Sequence, residues 1–281
     1  MLRDPRKSDH IVAVTFDVWA TLLHDQRPVR ARWAPTQAPA EDNDPLAAAV
    51  GAGPDIGVSR SQSRVDWMTS VLRDGGVAVT DEQVHEAYEG TWSYLETEIW
   101  TKNEELDTRD QLRWLLANLG ANVAGGWTEE QWRELERAYV EPFFTTPPRL
   151  ADGAREALAT LRERQYRIGL ICNTGVTPGW AIRRYFEELG ILAHFDTLAF
   201  SNEERVRKPD PEIYRRVLGR LKAEAYQAVH IGDDVITDIH GAKSVGMRAI
   251  LVRPDLPAGI PSQPDAHLTD LIDLVATIAR L

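Results

Sequence analysis

Downstream of Pro147-Pro148 the chain alternates short apolar runs with stretches of helical spacing, and no other feature limits its fold as tightly. Ile168-Gly169-Leu170-Ile171-Cys172, Thr197-Leu198-Ala199-Phe200, Val229-His230-Ile231 and Ala249-Ile250-Leu251-Val252 read as strands. They are short and nearly continuously apolar, as strands buried on both faces are. Far upstream, Ile11-Val12-Ala13-Val14-Thr15-Phe16 is a fifth run of the same kind. Helices are predicted over about 152–164, 178–189 and 211–222, from the fourth strand to about 245, and over about 268–279, with Asp152 capping the first. Strands alternating with helices give a parallel sheet covered on both faces. The expected fold class is therefore α/β, with a five-stranded parallel sheet. Ligands of such sheets bind beyond the carboxyl ends of the strands.

The stretch between the first strand and the prolines has a different character. Residues 33–63 contain Pro35, Pro39, Pro45, Pro54, Gly51, Gly53 and Gly57, and read as an irregular loop with a short helix at 46–50. A loop of that length points to a lid or to mobility. Helices follow. Val65, Met68 and Leu72 share a face that ends at Gly75-Gly76. Thr80 with Gln83, Thr108 with Gln111 and Thr128 with Gln131 each have the spacing of a capping box, and Trp127 and Trp132 sit at the two positions of a hydrophobic staple. About four helices and no strand are expected here. Seven of the nine tryptophans fall between 28 and 145, where packing is their expected role. Residues 81–110 carry ten acids and two bases, which reads as a solvated face or as repulsion of highly anionic substrates.

Composition narrows the function classes. With 43 acidic and 32 basic side chains in 281 residues, the formal charge is −11, which disfavours nucleic acid and anionic membrane as partners. No apolar run reaches the length of a spanning helix. The polar N-terminus lacks a signal segment, so a cytoplasmic protein is expected. Cys172 is the single cysteine, which excludes an intrachain disulfide framework. The expected partner is a small-molecule substrate, the chain being a monomer or a homodimer.

Polar residues fall at the ends of the apolar runs. Asp17 ends the first, Cys172-Asn173-Thr174-Gly175 the second, and Gly232-Asp233-Asp234 the fourth, with Asp238 beyond. Lys208-Pro209 follows the third. A parallel sheet would gather these groups on one rim. Clustered carboxylates repel one another unless a cation sits among them, and hard oxygen ligands in that number suit Mg²⁺. One carboxylate can then act as a nucleophile, and a lysine can hold it anionic.

Four segments in order resemble the motifs of the haloacid dehalogenase superfamily of aspartate-nucleophile hydrolases. They are Asp17-Val18-Trp19-Ala20-Thr21, the Cys172-Asn173-Thr174 strand end, Lys208-Pro209, and Gly232-Asp233-Asp234-Val235-Ile236-Thr237-Asp238. The resemblance implies a Rossmann-like core of about residues 8–27 and 146–281 and an inserted all-helical type-one cap over 28–145. It implies a Mg²⁺-dependent hydrolase acting on a small phosphorylated metabolite through a covalent intermediate on Asp17. Thr21 would orient the nucleophile and Lys208 would be the motif lysine. Cys172, Asn173 and Trp19 would meet the substrate. The metal ligands would be Asp17, the Trp19 carbonyl, Asp233 and Asp238, with Asp234 a possible sharer of the last role.

The departures from that pattern define the alternatives. The family's phosphatases carry a second Asp two residues after the nucleophile, where this chain has Trp19. General acid–base help is worth roughly 10²–10⁴-fold, so another group, with His85 and Glu104 first in line, or a good leaving group must compensate. An aromatic residue there favours a 2-haloacid dehalogenase, with Arg27, Arg30 or Arg32 and Tyr214 as compatible residues. Asp233 speaks against it, because the dehalogenases use no metal. A Schiff base on Lys102 is a weaker reading. A non-catalytic binding protein is the rival from another class. Cys172 stands where Ser or Thr is usual, and a thiol is a weak donor. His230 reads as structural.

Overall fold

The computed structural model describes residues 10–25, 60–120 and 126–281. In chain order the chain forms β1 (Ala13–Phe16), β2 (Leu23–His24), α1 (Arg60–Asp74), α2 (Asp81–Tyr94), α3 (Thr108–Asn118), α4 (Glu129–Val140) and α5 (Pro142–Thr145). Then come β3 (Arg149–Leu150), α6 (Ala154–Glu163), β4 (Arg167–Cys172), α7 (Gly179–Glu188), β5 (Thr197–Phe200), α8 (Ser201–Glu204) and α9 (Pro211–Leu221). The chain closes with β6 (Ala228–Gly232), a π-helical turn (Val235–His240), α10 (Gly241–Ser244), β7 (Arg248–Val252), β8 (Ala266–Leu268) and α11 (Leu274–Ile278).

Six strands form the main sheet in the order β5-β4-β1-β6-β7-β8, every neighbouring pair parallel. β1 is interior, flanked by β4 and β6, and all four of its residues are buried. That burial on both faces is why the run is apolar throughout. The sheet corrects the expected five strands to six. β8 occupies the start of the expected closing helix, which shrinks to α11. Three half-buried residues on a sheet edge carry no apolar run and are stabilised by pairing with β7.

The five helices α1–α5 form an insert between β2 and β3. These two strands pair antiparallel, Leu23 with Leu150 and His24 with Arg149, so the chain leaves and returns at one point. Val65, Met68, Leu72, Val84, Tyr88, Leu112, Leu115, Leu135 and Tyr139 fill the insert's interior, which is continuous with one face of the sheet. Buried Arg64 donates to the Tyr88 hydroxyl at 2.9 Å and to the Tyr139 carbonyl, so its charge is not stranded. Trp67, Trp92, Trp127 and Trp132 pack from the rim of this core.

The helix starts test the capping chemistry. The Thr80 and Thr128 boxes form as expected, and the Trp127 and Trp132 rings meet edge to face at 5.8 Å. The third box does not form: Asp107 caps α3 by accepting from Asp110 N at 2.8 Å. Gln111 turns inward instead, donating to the Leu106 and Gly175 carbonyls. Nor does Asp152 cap α6. It is exposed and pairs with Arg149, and Gly153 takes the cap position at φ 79°. A Cβ at Gly153 would lie 2.7 Å from the Ile272 nitrogen. Residues 60–63 of the expected loop are the first turn of α1. Residues 33–59, with the expected helix at 46–50, lie outside the described residues, as does Trp33. Among the described residues no helix is long and apolar enough to cross a membrane.

Candidate active site

The site lies at the carboxyl edge of β4, β1 and β6. The Asp17 amide continues the β1 ladder by donating to the Ile231 carbonyl at 2.9 Å. The chain then reverses tightly. Leu22 and Leu23 both donate to the Val18 carbonyl, and Ala20 adopts φ 55°. This turn holds the Asp17 side chain at the strand end with 5% of the residue exposed. Strand β6 ends at Gly232, which delivers Asp233. A Cβ on Gly232 would lie 2.2 Å from the Asp238 Cγ, so only glycine leaves room for that carboxylate.

Lys208 arrives on the loop after α8 and is 2% exposed. Its Nζ donates to Asp17 Oδ1 and to Asp238 Oδ1, each at 2.6 Å. Asn173, just beyond β4, clasps the lysine's backbone. Its Oδ1 accepts from Lys208 N and its Nδ2 donates to the Lys208 carbonyl, both at 2.9 Å. The ammonium thus ties the end of β1 to the π-helical turn after β6, while Asn173 ties the lysine's backbone to the end of β4.

Asp17, Asp233 and Asp238 each bring a carboxylate oxygen within 4.8 Å of the others. One ammonium does not balance three carboxylates, and all three are taken from water. Burial pushes Asp17 up to about 7; Lys208 opposes this and the Asp238 charge adds to it. Burial likewise pushes Asp233 well up, reinforced by Asp238 and Asp17. Burial also acts on Asp238, but Lys208 and His230 outweigh it and hold its carboxyl below the usual range. Three close hard-oxygen donors short of positive charge, around a cradle that a Cβ would fill, fit a divalent cation such as Mg²⁺.

A second buried chain orients Asp238. His230, inside β6, reaches Asp238 Oδ1 with Nε2 at 3.1 Å and Thr15 Oγ1 with Nδ1 at 2.8 Å. Burial lowers the pKa of the imidazole, opposed by Asp238. Assigned from its partners, Nε2–H donates to the carboxylate and Nδ1 accepts from the Thr15 hydroxyl. The Asp234 amide donates to Asp238 Oδ2 at 3.0 Å.

The structure brings together Asp17, Lys208, Asp233 and Asp238, with Asn173 and Cys172 beside them at the end of β4. Asp234 spends its carboxylate on the π-helical turn, accepting from Ile236 N, Thr237 N and Thr237 Oγ1. Asn173 is committed to Lys208. The buried Thr21 hydroxyl has no hydrogen-bond partner among the described residues, Asp17 included. Cys172 is buried at the end of β4, and burial pushes its thiol well above the usual range. Trp19 is half-buried and sets its ring edge-on to Phe143 of α5 at 6.2 Å. Tyr214 packs edge-on to His230 at 5.4 Å and donates to the Thr237 carbonyl. His85, Glu104 and Lys102 are exposed, Lys102 facing Glu98 at 3.9 Å. Arg27, Arg30 and Arg32 lie outside the described residues.

Two residues placed outside the site by the sequence reading emerge beside it, His230, expected to be structural, and Glu105, for which no role was expected. The signal for His230 was an imidazole in an otherwise apolar strand. Glu105 lay in an acidic stretch that gave no means of telling it from Glu104. It is 3% exposed and Glu104 is on the surface.

Comparison with known proteins agrees with this geometry. A family model described as haloacid dehalogenase-like hydrolase matches residues 11–246. A glyceraldehyde 3-phosphate phosphatase of Pyrococcus abyssi is 36% identical over 98 residues, covering 35% of this chain and 40% of that protein. A phosphoserine phosphatase of Thermus thermophilus is 32% identical over 149 residues, covering 53% and 57%. The matched part of the chain thus spans about half the length of these curated relatives or less. In structure, a 2-haloacid dehalogenase of Pseudomonas syringae superposes with a TM-score of 0.62 at 22% identity, covering 96% of this chain and 99% of the other. A HAD phosphatase of Thermococcus onnurineus gives 0.55 at 19%, covering 95% and 97%. At those identities the structures speak for the fold alone. The fold, the order of the strand-end residues and the extent of the family match agree, and the chain belongs to the haloacid dehalogenase-like hydrolase family.

Proposed function

We propose that the protein is a Mg²⁺-dependent phosphohydrolase acting on a small phosphorylated metabolite through a covalent intermediate on Asp17, with the helical insert as its cap. The observation that carries this reading is the cluster of Asp17, Asp233 and Asp238 around Lys208 at the carboxyl edge of the sheet. The phosphatase names of relatives matching part of the chain support the substrate class.

In this reading Asp17, Asp233, Asp238 and the Trp19 carbonyl would hold the metal, which supplies charge neutralisation at the phosphoryl oxygens. The chain's own groups do the rest. A nucleophile must be ionised, and burial alone works against that by pushing the Asp17 carboxyl up. The 2.6 Å contact from Lys208 favours the carboxylate. An Asp17 oxygen then bonds to phosphorus as the bond to the leaving oxygen breaks. The leaving oxygen takes its proton from solvent or substrate, because Trp19 has none to give. Water next attacks the phosphorus of the aspartyl phosphate and releases inorganic phosphate, restoring the carboxylate. His230 and the Asp234 amide keep Asp238 oriented so that Lys208 stays shared between the two acids.

Hydrolysis of 2-haloacids is the second reading, favoured by the aromatic residue at Trp19 and opposed by Asp233. A panel of phosphorylated metabolites and 2-haloacids, assayed with Mg²⁺ and with EDTA, separates the two. Turnover of phosphate esters only with Mg²⁺ is the expected result. Metal-independent release of halide, with no phosphate release, would overturn the proposal.

A further inference from the structure

One carboxylate of the insert is buried against the core, away from the Asp17 cluster. Glu105 has no exposed side-chain surface. It accepts from Trp100 Nε1 of its own insert at 2.9 Å, from Ser201 Oγ of the core at 2.9 Å and from Arg207 Nη1 of the core at 3.0 Å. The Arg207 guanidinium also lies over the Trp100 ring, 4.1 Å from its centroid. Each core partner leads directly to the site. Ser201 Oγ accepts from Thr174 N at 2.9 Å, in the loop that ends β4. Arg207 immediately precedes Lys208, and its amide donates to the Asn103 carbonyl of the insert at 3.0 Å. Asn173, next to Thr174, clasps Lys208 itself. The loop after β4 and the loop carrying the lysine are therefore braced on the same buried carboxylate. Gln111 adds a parallel strut, donating to the Gly175 carbonyl at 3.0 Å while accepting from Tyr139. A solvent-exposed pair, Arg205 with Asp107 at 2.6 Å, spans the same seam.

We infer that Glu105 is a positioning residue that couples seating of the helical insert to the placement of Lys208, through Arg207 on one side and Ser201–Thr174–Asn173 on the other. Burial is what gives the coupling its strength. A carboxylate shielded from water holds its donors far more tightly than an exposed one, and lifting the insert would leave both charges to be rehydrated or stranded. The exposed Arg205–Asp107 pair has no such leverage, because water and salt screen it. In the resting arrangement the insert thus pins the lysine loop. When the insert lifts, that loop loses its brace, and the ammonium loses its fixed distance to Asp17. Phosphoryl-transfer competence would then be restricted to the seated state. This regulatory role rests on the proposed phosphohydrolase reading, but the pinning itself does not.

The test compares Glu105→Gln and Ser201→Ala with Arg205→Ala as the control at the same seam. Glu105→Gln keeps the shape and an acceptor oxygen but removes the charge. Ser201→Ala removes one strut without stranding a charge, and serves if the first variant folds poorly. Two readouts are taken: amide hydrogen exchange over 172–175 and 201–209, and steady-state hydrolysis of p-nitrophenyl phosphate with Mg²⁺. The expected result is faster exchange in both loops for the two variants. With it should come a kcat lower by about tenfold to a hundredfold, the scale of a small misplacement of a reacting group, and a KM changed less than about twofold because the substrate's own contacts are kept. Arg205→Ala should leave both readouts near wild type. Unchanged exchange over 201–209 in both Glu105→Gln and Ser201→Ala would overturn the coupling. If the wild type hydrolyses no phosphate ester, the exchange result still decides the coupling, and the phosphohydrolase reading fails separately.

Discussion

Replacing Lys208 by Met isolates the electrostatics of the site. The lysine is 2% exposed and is the cation shared by Asp17 and Asp238, at 2.6 Å from each. Methionine fills most of the same volume, so the loss is one of charge and hydrogen bonds more than of packing. Removing one partner of a buried ion pair costs about 3–5 kcal/mol, because the charge left behind is unpaired. At about 2–4 °C per kcal/mol for a chain of somewhat smaller size, the melting temperature should fall by roughly 6–20 °C in EDTA at pH 8. The sign of the pH dependence follows from the carboxylates. Without Lys208 the opposition to the raised Asp17 value of about 7 is gone, and Asp238 loses the main group that depresses it. Both folded-state values rise above the unfolded ones of about 3.9. An acid raised on folding contributes stability that is present below its unfolded pKa and lost as the pH rises through its folded pKa. The deficit against wild type should therefore be largest at pH 8 and narrow toward pH 5. Mg²⁺ should restore part of the lost stability, since a ligand at a hundredfold excess over its Kd stabilises the protein that binds it by about 2.7 kcal/mol. Thermal melts followed by circular dichroism, at pH 5 and 8 with EDTA or Mg²⁺, read all of this. A variant that melts within roughly 2 °C of wild type at pH 8 in EDTA, under one kcal/mol on the same scale, would refute the idea that the ammonium balances this cluster.

Asp17→Asn should abolish turnover with the fold intact, since an amide cannot serve as the nucleophile; wild-type-like rates would remove Asp17 from that role. Gly232→Ala places a Cβ about where the Asp238 carboxyl now sits. It should lower Mg²⁺ affinity by about 10–100-fold, as loss of supporting geometry around a metal typically does; unchanged affinity by calorimetry would show that Asp238 is free to move. Because Trp19 offers no proton, the rate on phosphate esters should depend steeply on leaving-group pKa, with aryl and acyl phosphates far ahead of sugar phosphates. A flat dependence with chemistry rate-limiting would mean another group supplies the proton.

The fold class was legible in the sequence because its cause is local. A strand buried on both faces must be apolar along its length, and β1, β4, β6 and β7 each announce themselves in this way. The ends of two of those runs are legible for the same reason: an unpaired charge cannot continue into the core, so Asp17 and Asp233 stand out. Capping is local too, and two of three boxes formed as written. The third failed because Asp107 and Thr108 are adjacent competitors for one cap, and what decided between them was Gln111 reaching the Gly175 carbonyl, a contact between distant parts of the chain. β8 was hidden because an edge strand of three half-buried residues has no pattern of its own and exists through its pairing with β7. The division of labour among the acids could not be read from spacing. Asp234 turned to cap the π-helical turn while Asp233 and Asp238 faced Asp17, a choice made by the backbone path after Gly232. His230 and Glu105 are the clearest cases of this kind. An imidazole in a strand and one acid among ten acquire meaning only when folding buries them against Asp238 and against Arg207 with Ser201, since a buried polar group must find its partners and a solvated one need not.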